Sequence, residues 1–563
     1  MKFQDFKYER PNFDVQKEKL TLLIEEFNDA TDAKQQLEVF KRINKERSYA
    51  STMRTLASTR HSIDTRDKFY DAEHAYWDEA GPLYEELNAL LYDAILTSPF
   101  RAALEAELGT QFFKLIECEK KAFSPEIIAD LQEENRLSSE YSKLLAAAKI
   151  PFQGEEYTLP GLLKFSQDKD RSVREAAWTA RFNFFAEHEA TIDNIYDQLV
   201  KVRAEIAKKL GFNNFTELGY VRMKRTDYNP TDVANFRKQV RDVIVPVATE
   251  IYEKQRIRLG LDKLRYFDLQ FEYESGNATP QGSPEWILEQ GVKMYGELSP
   301  ETKEFFDVMV EKDLLDLVNK DGKRGGGYCT YIDDYKVPFI FSNFNGTSGD
   351  IDVLTHEAGH AFQVYRSRHI EIPELAFPTY ESCEIHSMSM EFFCWPWMDL
   401  FFKEDVEKYK YSHLAAAITF IPYGVLVDEY QHFVYDNPTA TKDERKAEWR
   451  RLEKQYLPHK DYEGCDFLER GAWWHQQAHI FSMPFYYIDY TLAQICALQF
   501  WKRINSKDEG AWTDYLALCE VGGSKSFVEL VKLGHLKSPF EDGCVESVIA
   551  DIKTWLDMPR DLK

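Results

Sequence analysis

Residues 350–364 read Asp350-Ile351-Asp352-Val353-Leu354-Thr355-His356-Glu357-Ala358-Gly359-His360-Ala361-Phe362-Gln363-Val364. On a helix, residues four apart share a face, so His356 and His360 can grip one ion. Glu357 neighbours that face and can reach a water on the metal as a general base. Neutral imidazoles suit Zn²⁺, whose catalytic sites keep one position open. The apolar positions between 353 and 364 fit a buried helix. Gly359 costs such a helix about 1 kcal/mol relative to Ala, and its presence predicts the close approach of another element.

Outward towards the C-terminus, a third ligand is required. The next helical stretch is Tyr380-Glu381-Ser382-Cys383-Glu384-Ile385-His386, continuing to Glu391, and Glu384 stands 24 residues after His360. That leaves room for a loop through Pro373 and Pro378 and a returning helix. Glu384 would complete a His-His-Glu site for one Zn²⁺ per chain with an open fourth position. Metal-bound histidines need a partner on the second ring nitrogen. Asp352, one turn before His356, Glu381, three residues before Glu384, and Glu391, two turns after it, are the carboxylates placed to supply one.

Outward towards the N-terminus, residues 337–344 (VPFIFSNF) form an apolar, aromatic run, and Gly325-Gly326-Gly327 leads into Tyr328-Cys329-Thr330-Tyr331. These predict a small sheet beside the metal helix, and the alternation of residues 265–273 (RYFDLQFEY) predicts a further strand. Residues 345–349 (NGTSG) read as a loop, with Asp350 as cap of a helix beginning near Ile351. Elsewhere the chain reads as helix after helix. Ser124-Pro125-Glu126, Ser283-Pro284-Glu285, Ser299-Pro300-Glu301 and Asn229-Pro230-Thr231-Asp232 are start signals, in which a cap precedes Pro and an acid meets the positive helix end. Residues 15–27 and 127–148 are long amphipathic stretches without strand alternation.

The length of 563 residues exceeds what one core holds and predicts two or more lobes. With 26 Gly and 21 Pro, turns are too few for an all-β chain. A net charge of −25 repels phosphate backbones, which excludes nucleic acid as a partner. No leader is visible after Met1, and no run of about 18 apolar residues occurs, so no membrane partner is expected. Cys118, Cys329, Cys383, Cys394, Cys465, Cys496, Cys519 and Cys544 form no C-x-x-C pair. They read as reduced thiols of a cytoplasmic protein.

Three other readings compete. A di-iron carboxylate site would use Glu357 with His360 and Glu429 with His432, plus Glu384 and Glu391, but it leaves His356 without a role. His475 and His479 are also four apart, yet Gln476 and Gln477 follow His475 where a base would stand. A helical scaffold that binds peptides without cutting them has no need of His356, Glu357, His360 and Glu384 together.

The stretch DVLTHEAGHAF, followed by Glu384 within ESCEIHSMSMEFF, resembles the thimet oligopeptidase and oligoendopeptidase F family of zinc metallopeptidases, most closely its oligoendopeptidase F branch. The likeness is strongest over residues 325–391 and extends over about residues 160 to 545, the span such a catalytic domain needs. It implies a mainly α fold: a two-lobed helical body with a deep central channel and one small sheet beside the H-E-x-x-H helix. The division it implies is an N-terminal helical region, residues 1–160, and a catalytic region, residues 161–563. It also implies a zinc endopeptidase for short or unfolded oligopeptides, of about 5 to 20 residues, with channel walls that exclude folded proteins. The strand and glycine loop before the metal helix would align the peptide backbone, through Gly326, Gly327, Tyr328, Phe341 and Asn343 here. The family's His and following Tyr-rich helix correspond to His479 and to Tyr486, Tyr487 and Tyr490. Tyr487 or Tyr490 would hold the oxyanion, and His479 would hydrogen bond to substrate.

Overall fold

In the computed structural model, the described residues are 1–320, 322–560 and 562, the side chains of Asp78, Pro82, Ser139, Lys143 and Ala146 aside. The Ser-Pro-Glu triplets begin helices as their chemistry requires. Ser283 caps Pro284–Leu298 by accepting from the Trp286 amide, and Ser299 caps Pro300–Glu311 by accepting from Thr302. Asn229 caps Pro230–Gln239 through the amides of Thr231 and Asp232. Ser124 caps a short turn, Pro125–Ile127, that runs into the helix Ile128–Ala146. Helix accounts for 70% of the protein, and among the described residues two small sheets account for the strands, so the fold is mainly α. Among the described residues, no helix is long and apolar enough to cross a membrane.

The chain forms two compact units, each assembled from three stretches. The first comprises Met1–Lys121, Thr279–Glu404 and Cys496–Leu536. The second comprises Ala122–Ala278, Asp405–Ile495 and Lys537–Lys563.

The first unit holds the sheet that the sequence predicts. Strands β3 (Leu315–Val318), β4 (Tyr328–Ile332) and β5 (Val337–Phe344) lie in the order β3-β5-β4. β5 runs parallel to β3 and antiparallel to β4, with Tyr328 opposite Phe341. β5 is the central strand and is buried at every position but Asn343. This is why it reads as an unbroken apolar run rather than an alternation. β4 is an edge. The helix Gly349–Ser367 packs on β4 and β5, and the helix Tyr380–Phe393 packs on that helix. A separate core of Leu20, Phe27, Phe40, Ile43, Leu91, Phe112 and their neighbours holds the N-terminal helices together.

The second unit is built on the long helix Val406–Asp436, which packs against Val245–Arg258 and Lys442–Tyr456. It also contains a sheet the sequence reading did not anticipate, the hairpin of β1 (Ile150–Phe152) and β2 (Glu155–Tyr157). Its turn places Gln153 at φ 51° and Gly154 at φ 87°. Three-residue strands leave too little pattern to detect.

Two local expectations are corrected. Residues 265–273 form turns, not a strand. The segment folds around the Asp268 carboxylate, which accepts from Arg171, Arg174 and the Arg265 amide. The Gln255 amide donates to Leu269 and Phe271 carbonyls where a strand partner would have stood. Asp350 is not the cap of the metal helix, which begins at Gly349 after Ser348. It is buried in the first turn, and its carboxylate reaches back to accept from the amides of Asn345 and Gly346, 2.8 and 2.9 Å away. The acid still meets the positive helix end, but its side chain closes the preceding loop.

Candidate metal centre

His356 and His360 project from one face of Gly349–Ser367 towards Glu384 on Tyr380–Phe393. Glu384 Oε2 lies 3.2 Å from His356 Nε2 and 3.5 Å from His360 Nε2. The three ligand atoms fall within 4.8 Å of one another, and among the described residues this is the one such group of three or more. Gly359 permits the arrangement. A Cβ there would stand 2.6 Å from the Ser387 Cα and 2.7 Å from the His386 carbonyl oxygen, so the second helix crosses where the first has no side chain.

Two of the three side chains are held from behind. His356 Nδ1 lies 2.7 Å from Glu391 Oε1, which directs Nε2 into the site. Ser387, a residue the sequence reading missed, donates its hydroxyl to Glu384 Oε2 at 2.9 Å. The signal was present in its position, three residues after Glu384 on one helix face. Burial opposes a charge on His356, but Glu384 and Glu391 outweigh it and push its pKa well up. Burial likewise opposes a charged Glu384, and His360 and His356 hold its carboxyl well below the usual range. Asp352 is half-buried one turn before His356, and Glu381 is buried one turn before Glu384.

Glu357 is buried, and its Oε2 has no hydrogen-bond partner. Burial raises its pKa, with His356 and His360 acting the other way. An unpartnered buried carboxylate oxygen costs stability; it fits a group whose partner is a reactant. Above it lies the glycine loop. A Cβ on Gly327 would be 3.3 Å from Val353 Cγ1, 3.4 Å from the Phe341 carbonyl oxygen and 3.5 Å from Glu357 Oε1. Gly326 sits at φ 92°, in the left-handed region that favours glycine. Asn343 Nδ2 donates to the carbonyls of Arg324 and Gly326, at 2.9 and 2.8 Å, and so ties the loop to β5. Phe341 is fully buried and stacks on Tyr328 at 4.9 Å between centroids. Asn343 and the Phe341 side chain thus hold the loop, while Gly326, Gly327 and Tyr328 form it and the start of the edge strand. The helix Ala33–Ile63 adds a further hold, since the Arg324 amide donates to the Ser62 carbonyl at 2.9 Å.

His479, Tyr486, Tyr487 and Tyr490 form a cluster in the second unit. The His479 ring lies 4.9 Å from Tyr487, 5.8 Å from Tyr486 and 6.0 Å from Tyr490. Phe485, just before the Tyr-rich helix Tyr487–Asn505, takes φ 69° and is fixed by its amide bond to Gln431 and by Arg225 on its carbonyl. Tyr486 is buried, and Tyr487 and Tyr490 are half-buried.

The competing metal sets do not assemble. Glu429 accepts from Tyr456, and His432 Nε2 is 3.2 Å from the Tyr220 hydroxyl. His475 is fully buried with Nε2 on Asp193 at 2.9 Å.

The residues fit a metal: two imidazoles and a carboxylate converge, with His356 and Glu384 each backed by a partner, beside a further buried carboxylate. Comparison with known proteins agrees. Residues 3–123 match the peptidase M3 N-terminal domain, and residues 164–548 match peptidase family M3. The structure of PZ peptidase A with an inhibitor is 58% identical over 100% of both chains, with a TM-score of 0.96. An oligoendopeptidase F homologue from Borreliella burgdorferi is 24% identical over 388 residues, 67% of this chain and 63% of that protein. The chain therefore spans less than two thirds of that relative's length. Oligoendopeptidase-F from Enterococcus faecium, 16% identical over 97% of both chains with a TM-score of 0.64, shares the fold. The resemblance that rested on residues 325–391 is borne out. With the family signature running through more than half of its length, the chain belongs to peptidase family M3.

Proposed function

We propose that this chain is a zinc-dependent endopeptidase of oligopeptides, acting in the cytoplasm, with residues 161–563 as its catalytic region and residues 1–160 as an N-terminal helical region. The observation that carries the reading is the convergence of His356, His360 and Glu384 beside Glu357, whose buried Oε2 has no partner. His356, His360 and Glu384 would hold one zinc ion. When bound, zinc supplies Lewis acidity, polarising a carbonyl and easing the ionisation of water. Glu357 takes the proton of the attacking water; the pKa raised by its burial brings it towards the operating range. It then delivers that proton to the departing amine. Glu391 fixes His356, and Ser387 fixes Glu384, so neither ligand is lost as charge moves. Asp352 and Glu381 are assigned supporting carboxylate roles on the same two helices.

The substrate backbone pairs with the open edge of β4, where main-chain groups are available and side-chain identity matters little. Gly326 and Gly327 let that backbone come close to Glu357, and Tyr328 begins the pairing edge. His479 donates a hydrogen bond to the peptide, and Tyr487 or Tyr490 stabilises the oxyanion, with Tyr486 packing beside them. A preference for short or unfolded peptides over folded proteins completes the reading. The eight free thiols suit a reducing compartment.

The test is metal content measured with hydrolysis of a quenched peptide pool, with and without chelator. The expected result is one zinc per chain, cleavage lost on chelation and restored by zinc. Glu357→Gln should keep zinc and lose about 10²–10⁴-fold in turnover. Bound zinc without cleavage of any peptide, or a fully active Glu357→Gln protein, overturns the reading.

A further inference from the structure

A polar series runs up to His479. Tyr423 donates to Gln477 Oε1 at 2.6 Å. Gln477 Nε2 lies 2.8 Å from His479 Nδ1. The Tyr487 ring packs against the same imidazole, 4.9 Å between centroids. Tyr423 is packed in turn, edge-on to Tyr487 at 5.8 Å and to Trp449 at 6.3 Å between centroids.

The polarity of this series follows from its first bond. An amide carbonyl oxygen accepts and cannot donate. The Tyr423 hydroxyl therefore sends its hydrogen to Gln477 Oε1. With its carbonyl oxygen so engaged, the amide presents its NH₂ to His479. Nδ1 is then the acceptor, and a neutral imidazole that accepts at Nδ1 carries its proton at Nε2. The other tautomer would place a lone pair where a peptide carbonyl gains negative charge and would repel it.

We propose that Gln477 is a positioning residue, which fixes His479 as the Nε2–H tautomer and so makes it a hydrogen-bond donor to the peptide. The proposal rests on the reading of His479 as a group that touches substrate. Gln477 itself stays behind the imidazole it orients. Nothing in the H-E-x-x-H motif announces it; only its bonds to Tyr423 and His479 do.

The experiment compares the zinc-loaded 563-residue chain with its His479→Ala, Gln477→Glu and Gln477→Met variants, on one quenched peptide of about eight residues. Gln477→Glu keeps the shape and the bond from Tyr423, but it offers Nδ1 an acceptor in place of a donor. Gln477→Met keeps the bulk and removes both bonds. The expected result is a fall in kcat of about 10–100-fold for Gln477→Glu and a smaller fall for Gln477→Met, with KM within about twofold in each. Zinc content and melting temperature, read on the same samples, should match the parent for Gln477→Met. A role in packing alone predicts the reverse order, with the shape-preserving Glu variant the milder one, and that order overturns the proposal. So does a kcat within twofold of the parent for both Gln477 variants while His479→Ala loses tenfold or more; the reading of His479 then stands without the relay. Parent-like turnover in His479→Ala overturns the reading of His479 itself, and the relay with it.

Discussion

Gly359 lies against Ser387 so closely that a Cβ on the glycine would stand 2.6 Å from the Ser387 Cα. The obstacle is backbone, with the His386 carbonyl oxygen 2.7 Å away, and it cannot turn aside as a flexible side chain would. Two opposing effects meet in Gly359→Ala. Alanine favours the helix by about 1 kcal/mol, while overpacking a tight contact costs about 1–3 kcal/mol. The second should win because two helices must separate to make room. The expected outcome is a lower unfolding midpoint and weaker zinc binding together, since the same separation moves Glu384 from the two histidines. A variant as stable as the parent, with parent zinc affinity, would show that the crossing is looser than it looks.

The bond between His356 Nδ1 and Glu391 Oε1, 2.7 Å long, carries the next prediction. Glu391→Gln keeps an acceptor but removes the charge that favours a strongly donating imidazole. Zinc affinity should fall by about 10–100-fold, read by competition with a chromophoric chelator. Ser387→Ala, which removes one bond to Glu384 Oε2, should cost less. Unchanged affinity in Glu391→Gln would mean that His356 is oriented by packing alone.

How much of this could be read from the sequence follows from which distances the sequence controls. His356, Glu357 and His360 were legible because a helix fixes their spacing, and Glu384 because the returning helix needs that length of loop. Gly359 predicted its own neighbour through its cost. The partner of His356 Nδ1 was not legible: Asp352, Glu381 and Glu391 all lie at helical spacings, and only the crossing of two helices selects Glu391. The alternation of residues 265–273 mimicked a strand because the segment folds around a buried Asp268, whose arginine partners come from a helix 94 and 97 residues earlier. Gln477 was visible as a residue but had no legible role, since Tyr423 stands 54 positions away.

Acid should loosen one half-buried ion cluster in the second unit. Glu189 accepts from Arg470 at 2.7 and 2.8 Å and from Lys446 at 2.5 Å, and these hold its pKa down to about 2 from 4.5. A carboxyl whose folded pKa is depressed stabilises the fold above its unfolded pKa. That contribution is lost as pH falls through 4.5 towards 2. Glu189→Gln should therefore melt below the parent at neutral pH, and the gap should close as pH falls towards 2. A gap that stays constant across that range would assign the loss to packing rather than charge.

Asn343 gives the prediction that separates substrate alignment from chemistry. Its amide is the link between the central strand and the glycine loop, through the carbonyls of Arg324 and Gly326. Asn343→Ala removes both bonds without touching His356, His360, Glu384 or Glu357. A loop that must be ordered by the peptide on binding draws on binding energy that would otherwise lower KM. KM should rise, by about 5–30-fold if one to two net hydrogen bonds are at stake, while zinc content stays at the parent level and kcat changes less. The opposite pattern, a fall in kcat at constant KM, would mean that the loop acts on the transition state through Gly327 and its close neighbour Glu357, and not on the bound peptide.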